Sequence, residues 1–92
     1  MVKRLILKER LDSAAADPLR GEIAALDGAD IALDASHVEF LGGLCLELLM
    51  CARQVWDSAG NTFGIEAPSE TFTDNLSRFG LTADALSAGD EA

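Results

Sequence analysis

Cys45 is the residue whose type and position come closest to doing chemistry. A thiol in the first turn of a helix feels the positive end of the helix dipole, which lowers its pKa and favours the nucleophilic thiolate. His37 lies upstream as the one imidazole able to serve as its base. Against this, Cys45 falls on the helical wheel with Leu48, Leu49, Ala52, Val55 and Trp56, which is the setting of a small buried residue. A lone His37 in a loop is in turn the ordinary position of a solvated histidine. Cys45 and Cys51, six residues apart on one helix, are separated by about 9 Å and point about 120° apart, so they form neither a disulfide nor a ligand pair. Both are expected to be reduced thiols. Gly42-Gly43 is followed by Leu-Cys-Leu and lacks the Lys and hydroxyl residue of a phosphate loop. The carboxylates are scattered, and no spacing pairs two of them for acid and base work. The expectation is a protein that is not an enzyme, with no metal and no cofactor; a Cys45-dependent thiol enzyme or redox sensor is the competing class.

Composition narrows the partners. Sixteen acidic and seven basic side chains give a net charge of -9, which repels phosphate backbones and anionic lipid headgroups over a Debye length of about 8 Å. Nucleic acid is therefore not an expected partner, and neither is direct membrane insertion. The apolar run from Leu41 to Ala52 is interrupted by Gly42, Gly43 and Glu47 and falls short of the roughly 20 residues of a membrane span. Charges at Lys3, Arg4, Lys8, Glu9 and Arg10 prevent an apolar stretch of signal-peptide length near the start. The expected location is the cytoplasm.

The 92 residues have room for one core, and three apolar strands alternate with three helices along them. The strands are centred on Leu5-Ile6-Leu7, on Ile31-Ala32-Leu33, and on Phe63 and Ile65 around Gly64. Asp17-Pro18 reads as the start of the first helix, with Leu19, Ile23 and Leu26 on one face and Asp27-Gly28 as its end. The second helix runs from near Gly43 to about Ala59, with Gly60-Asn61 as its stop. Ser69 caps the third, in which Phe72, Leu76 and Phe79 share a face ahead of a closing Gly80-Leu81 pair. The pattern predicts an α/β domain of β-α-β-α-β-α order on a short, mainly parallel sheet, spanning residues 1–86, with 87–92 as a frayed acidic tail.

The second helix holds the surface of interest. Its polar face carries Glu47, Arg53, Gln54, Asp57 and Ser58, yet Gly43, Leu46 and Met50 fall on that face too. An apolar stripe there either receives a partner or is covered by the third helix or a neighbouring loop. If it is open, Leu46→Asp with Met50→Asp would abolish partner capture and leave the fold intact.

The stretch Ile31-Ala32-Leu33-Asp34-Ala35-Ser36-His37-Val38-Glu39-Phe40-Leu41-Gly42-Gly43-Leu44-Cys45-Leu46 resembles the signature of the STAS, or anti-sigma-factor-antagonist, family. In that signature a strand ends in Leu-Asp-Leu-Ser-Gly-Val, a short loop follows, and Asp-Ser-x-Gly-Leu opens a helix. Arg10 to Leu19 is similar to the family's junction of strand and first helix, and Ala67 to Leu81 to its last helix. The resemblance implies a small α/β module that docks on a regulatory protein such as an anti-sigma factor with kinase activity, or on the ATPase subunit of a lipid-trafficking ABC transporter. It implies partner-facing roles for Ser36, His37, Gly42 and Gly43, continuing along the helix to Leu46, Glu47 and Met50. In anti-sigma-factor antagonists a kinase phosphorylates the Ser that opens the second helix, but here Gly43 stands at that position, Gly42 at the Asp and Cys45 at the small Gly. Glycine has no hydroxyl, so that switch is absent. Ser36 matches a second hydroxyl that is phosphorylated in some stressosome members and is the remaining phosphorylation candidate.

Overall fold

The computed structural model describes residues 2–86. The expected acidic tail at 87–92 lies outside the described residues. Five strands and three helices follow one another as β1 (Val2–Ile6), β2 (Arg10–Leu11), α1 (Ala16–Ala24), β3 (Asp30–Asp34), β4 (Phe40–Leu41), α2 (Gly43–Ser58), β5 (Phe63–Glu66) and α3 (Glu70–Arg78), with single 3-10 turns at Ser13–Ala15 and Ala83–Leu86. β1, β3 and β5 form a parallel sheet in the order β1-β3-β5, with Leu5 opposite Leu33 and Leu33 opposite Ile65. This is the α/β architecture that the alternation of strands and helices predicts.

Side chains alternate across a sheet, so one face presents Leu5, Ile31, Leu33, Phe63 and Ile65, and the other Val2, Arg4, Ile6, Ala32 and Gly64. The helices pack on the first face, where Ile31, Leu33 and Phe63 join Leu19 and Ile23 of α1, Leu49 and Trp56 of α2 and Phe72 and Leu76 of α3 in one buried cluster. On the second face the Arg4 guanidinium reaches Glu66 at 2.8 Å, passing across β3. Trp56 fixes α2 to the sheet, because its indole N–H donates to the Ala29 carbonyl at 2.6 Å and its ring meets Phe63 edge to face.

Several local expectations are corrected. β2 and β4 are a second parallel pair, with Leu11 opposite Leu41. At two residues each they are too short to leave a period in the sequence. Leu7 lies beyond the end of β1 and is buried. Asp17 does not cap α1: Asp12 caps the preceding 3-10 turn by accepting from Ala15 N–H, and α1 follows from it without a side-chain cap. Phe79 is half exposed and stays outside the core that Phe72 and Leu76 enter, since it sits at the C-cap, where the backbone leaves the helix. Val55, expected to face inward, is 54% exposed, because the buried arc of α2 narrows to Cys45, Leu49, Ala52 and Trp56 after its first turn.

The glycine stops of α2 and α3 are as expected, whereas α1 ends earlier than Asp27-Gly28, at Ala24, and reaches Gly28, at φ +87°, through further turns. Gly80 adopts φ +76°, and the Leu81 and Gly80 N–H groups donate to the Leu76 and Ser77 carbonyls, which closes α3 in a Schellman motif. Gly60, at φ +78°, ends α2 in the same left-handed region.

Candidate functional site

The β3–α2 connection gathers the residues singled out by sequence at one end of the molecule. Asp34 ends β3, and one of its carboxylate oxygens accepts from Ser36 N–H at 2.9 Å, forming a tight turn. Hydrogen bonding from Ser36 holds the Asp34 carboxyl below the usual carboxylate range. Ser36 Oγ lies 3.2 Å from His37 Nδ1, and both side chains are exposed. His37 is therefore exposed, and among the described residues its ring bonds to the Ser36 hydroxyl and to no carboxylate.

Beneath this loop, α3 supplies the anchor. Ser69 Oγ accepts from Phe72 N–H at 3.0 Å and donates to the Val38 carbonyl at 2.6 Å, while Ser69 N–H donates to the Ala35 carbonyl. One hydroxyl thus caps a helix and holds the loop. Ser69→Ala loses both bonds at once and is expected to lower unfolding free energy by about 2 kcal/mol, measured by urea denaturation.

Past Val38, the Glu9 carbonyl accepts from Glu39 N–H and Phe40 N–H, and Gly42 N–H donates to the Leu11 carbonyl. Gly42 is the N-cap of α2 in an extended conformation, and it offers no side chain to the free N–H groups. A Cβ at Gly42 would meet the Phe40 ring at 3.2 Å and the Leu11 carbonyl oxygen at 3.4 Å, so the packing favours glycine there. Gly43 is different. A Cβ there would meet nothing closer than Phe79 Cζ at 3.9 Å, so space alone would admit the serine that the signature carries.

α2 and the end of α3 flank a shallow groove of about 460 Å³, lined by Gly43, Leu46, Glu47, Met50, Phe79 and Leu81 among others. Met50 and Phe79 stand open on it, at 43% and 50% exposure. Leu46 does not. It is 4% exposed and belongs to the core cluster, which Leu86 joins and Leu81 packs against, with the 3-10 turn at Ala83–Leu86 lying against α2. The continuous stripe through Leu46 is corrected to an exposed Met50 beside a covered Leu46, and the neighbouring open apolar residue is Phe79. The wheel of α2 misses Phe79 because it lies at the C-cap of α3; the spacing with Phe72 and Leu76 marked it as inward, and its place directly before the terminating Gly80 is the signal that it leaves that face.

Cys45 is fully buried, and its S–H donates to the Asp12 carbonyl at 3.3 Å. Burial, with a smaller contribution from the Asp12 charge, pushes its thiol pKa up, against the lowering expected from the helix dipole. Desolvation wins, so a reactive thiolate has no support here. Native protein treated with iodoacetamide at neutral pH is expected to gain one adduct, on exposed Cys51, and a second only in urea; intact mass reads both. Among the described residues, no three His, Cys, Asp or Glu side chains converge on a metal position.

A family model described as "Mlab, STAS domain" matches residues 2–87. The chain belongs to the STAS domain family. STAS domains are generally non-enzymatic and typically mediate protein-protein interaction, in keeping with an exposed loop and open groove around an apolar core. No curated protein and no solved structure matches the chain. No helix among the described residues is long and apolar enough to cross a membrane.

Proposed function

We propose that the chain is a single cytoplasmic docking domain, spanning residues 1–86, that regulates a partner protein by binding it and catalyses no reaction. The partner contacts the Ser36-His37 loop, the glycines that open α2, and the groove bearing Glu47, Met50 and Phe79. The observation that carries this reading is the groove itself: an open apolar pair, Met50 and Phe79, directly beside the helix opening that the STAS signature marks. Apolar side chains ringed by polar ones are the usual anatomy of a binding patch.

The partner class follows from the STAS resemblance. It is a regulatory protein of the anti-sigma-factor, serine-kinase kind, held without the usual phosphoserine off-switch because Gly43 has no hydroxyl. The same glycine favours a second reading, the accessory subunit of a lipid-trafficking ABC transporter, since a standing clamp on an ATPase subunit needs no phosphate to release it. The two are separated by presenting immobilised protein with the kinase-like ATPase and with the ABC ATPase from the same source. One of them is expected to be retained, and Gly43→Glu, which has room to fold, is expected to weaken that capture at least about tenfold with an unchanged melting temperature. Retention of neither, or capture indifferent to the substitution, rejects the reading. Phosphate found on Ser36 after incubation with the retained kinase would make that loop the switch.

A further inference from the structure

We propose that the seam where α1 lies beside α2 is a second docking surface, which receives an amphipathic helix of another protein with basic residues along its flanks. Leu44, Leu48, Cys51 and Val55 of α2 stand four, three and four residues apart. That spacing keeps the four side chains on one line along the helix. The line is not the one that enters the core, which runs through Cys45, Leu49, Ala52 and Trp56 and lies about 100° further round α2. Leu44 and Val55 are 48% and 54% exposed, Cys51 is exposed and Leu48 is half-buried. The packing of the sheet against α2 therefore leaves this line uncovered at both ends.

Helix α1 supplies the other wall. An open trough of about 340 Å³ lies between Ile23 and Ala24 of α1 and Val55 and Trp56 of α2. Arg20 borders it and borders also the smaller hollow beside Leu44 and Glu47, so the two run on from one another along α2. From Leu44 to Val55 the seam is about 16 Å long, or roughly three turns of helix. Apolar side chains at a four-three-four spacing fit the holes between side chains of a facing helix. An extended strand gains nothing comparable, because the main chain of α2 is already paired within the helix and offers it no ladder.

Charge selects the flanks of that helix. Arg20, the one cation on the trough, is matched by Asp17 at 2.7 Å. Glu47 on α2 and Asp27 just past α1 also border it, and among the described residues neither is paired with a cation. Glu47 directly precedes Leu48, at the flanking position through which facing helices exchange ion pairs. A second copy of the chain brings the same two carboxylates and a net charge of -9 to the contact. Residues 87–92, Ser-Ala-Gly-Asp-Glu-Ala, bring two carboxylates and no large apolar side chain. A foreign helix with Lys or Arg beside its apolar line meets both the greasy seam and the acidic rim.

The probe is a synthetic peptide of about three heptads with Leu at the two seam positions and Lys at the flanking ones, whose like charges keep it from pairing with itself. Followed by the amide resonances of the protein, it is expected to move Arg20, Leu48 and Val55 and to leave Phe79 and Leu81 in place. It is expected to bind at least about tenfold more tightly than a peptide with Glu at the flanks or a scrambled peptide of the same composition. Val55→Lys and Leu44→Lys, both at exposed positions, are each expected to weaken it at least about tenfold with an unchanged melting temperature. No binding of the Lys peptide at millimolar concentration overturns the proposal, as do equal binding of the Glu or scrambled peptide, shifts centred on Phe79, or indifference to both lysine variants. Met50→Asp is expected to hold the peptide no less tightly than the wild type does, which separates this seam from the groove on the other flank of α2.

Discussion

Leu46→Asp is expected to unfold the domain, whereas Met50→Asp, four residues along the same helix, is expected to leave it folded and unable to hold its partner. Leu46 is 4% exposed within the core cluster. Removing its burial costs about 2–3 kcal/mol, and placing a carboxylate in that space costs several more unless the group takes up a proton. A domain of this size has about 5–14 kcal/mol in total and sits at the low end of what a single small core supplies. The substitution therefore consumes most or all of the stability, and circular dichroism at 25 °C with a urea titration reads the loss directly. Met50 is 43% exposed, and a surface change of that kind shifts stability by only about 0.5 kcal/mol. At the centre of an interface the same truncation with an added charge costs about 2 kcal/mol or more, an affinity loss of at least about 30-fold. A folded Leu46→Asp would show that Leu46 is not in the core as described; undiminished capture by Met50→Asp would remove the groove from the docking surface.

Trp56→Ala is expected to cost about 3–5 kcal/mol from the vacated volume, with about 1 kcal/mol more from the lost bond to the Ala29 carbonyl. The indole is 3% exposed and touches both α2's own packing layer and Phe63 of β5. Trp56→Phe isolates the smaller part, since it keeps an aromatic ring and loses the N–H donor. The chain has one tryptophan and no tyrosine, so wild-type emission comes from this buried indole and shifts to the red on unfolding. Urea denaturation followed by fluorescence for the wild type and by circular dichroism for the variants gives the difference; a Trp56→Ala loss below about 1 kcal/mol contradicts the packing described.

The long elements were legible because their residues repeat with a strong period. Leu49, Ala52 and Trp56 mark the inward line of α2, and Ser69, Gly60 and Gly80 mark ends that backbone chemistry dictates. β2 and β4 were not legible, since two residues hold no period and the pairing joins segments thirty residues apart. Asp17-Pro18 carries a sound capping signal, but a local bond pre-empts it: Asp12 accepts from Ala15 N–H and begins the turn earlier. At the candidate site the sequence marked the loop and the helix opening but misplaced Leu46, because a helical wheel shows which residues share a face and says nothing of what packs against it. Phe79, at the end of α3, and Met50 of α2 line one groove only once the chain has folded.

The short β2–β4 pair ties the opening of α2 to the stretch just ahead of α1. Gly42 N–H holds the Leu11 carbonyl, the Cys45 thiol holds that of Asp12, and Glu9 grips two successive amides of the other segment. A tug on the first turn of α2 is therefore felt at the root of α1, thirty residues earlier in the chain, with no helix having to bend. The clasp thus fastens two stretches of chain far apart in sequence, and it would give way as a unit or hold as one.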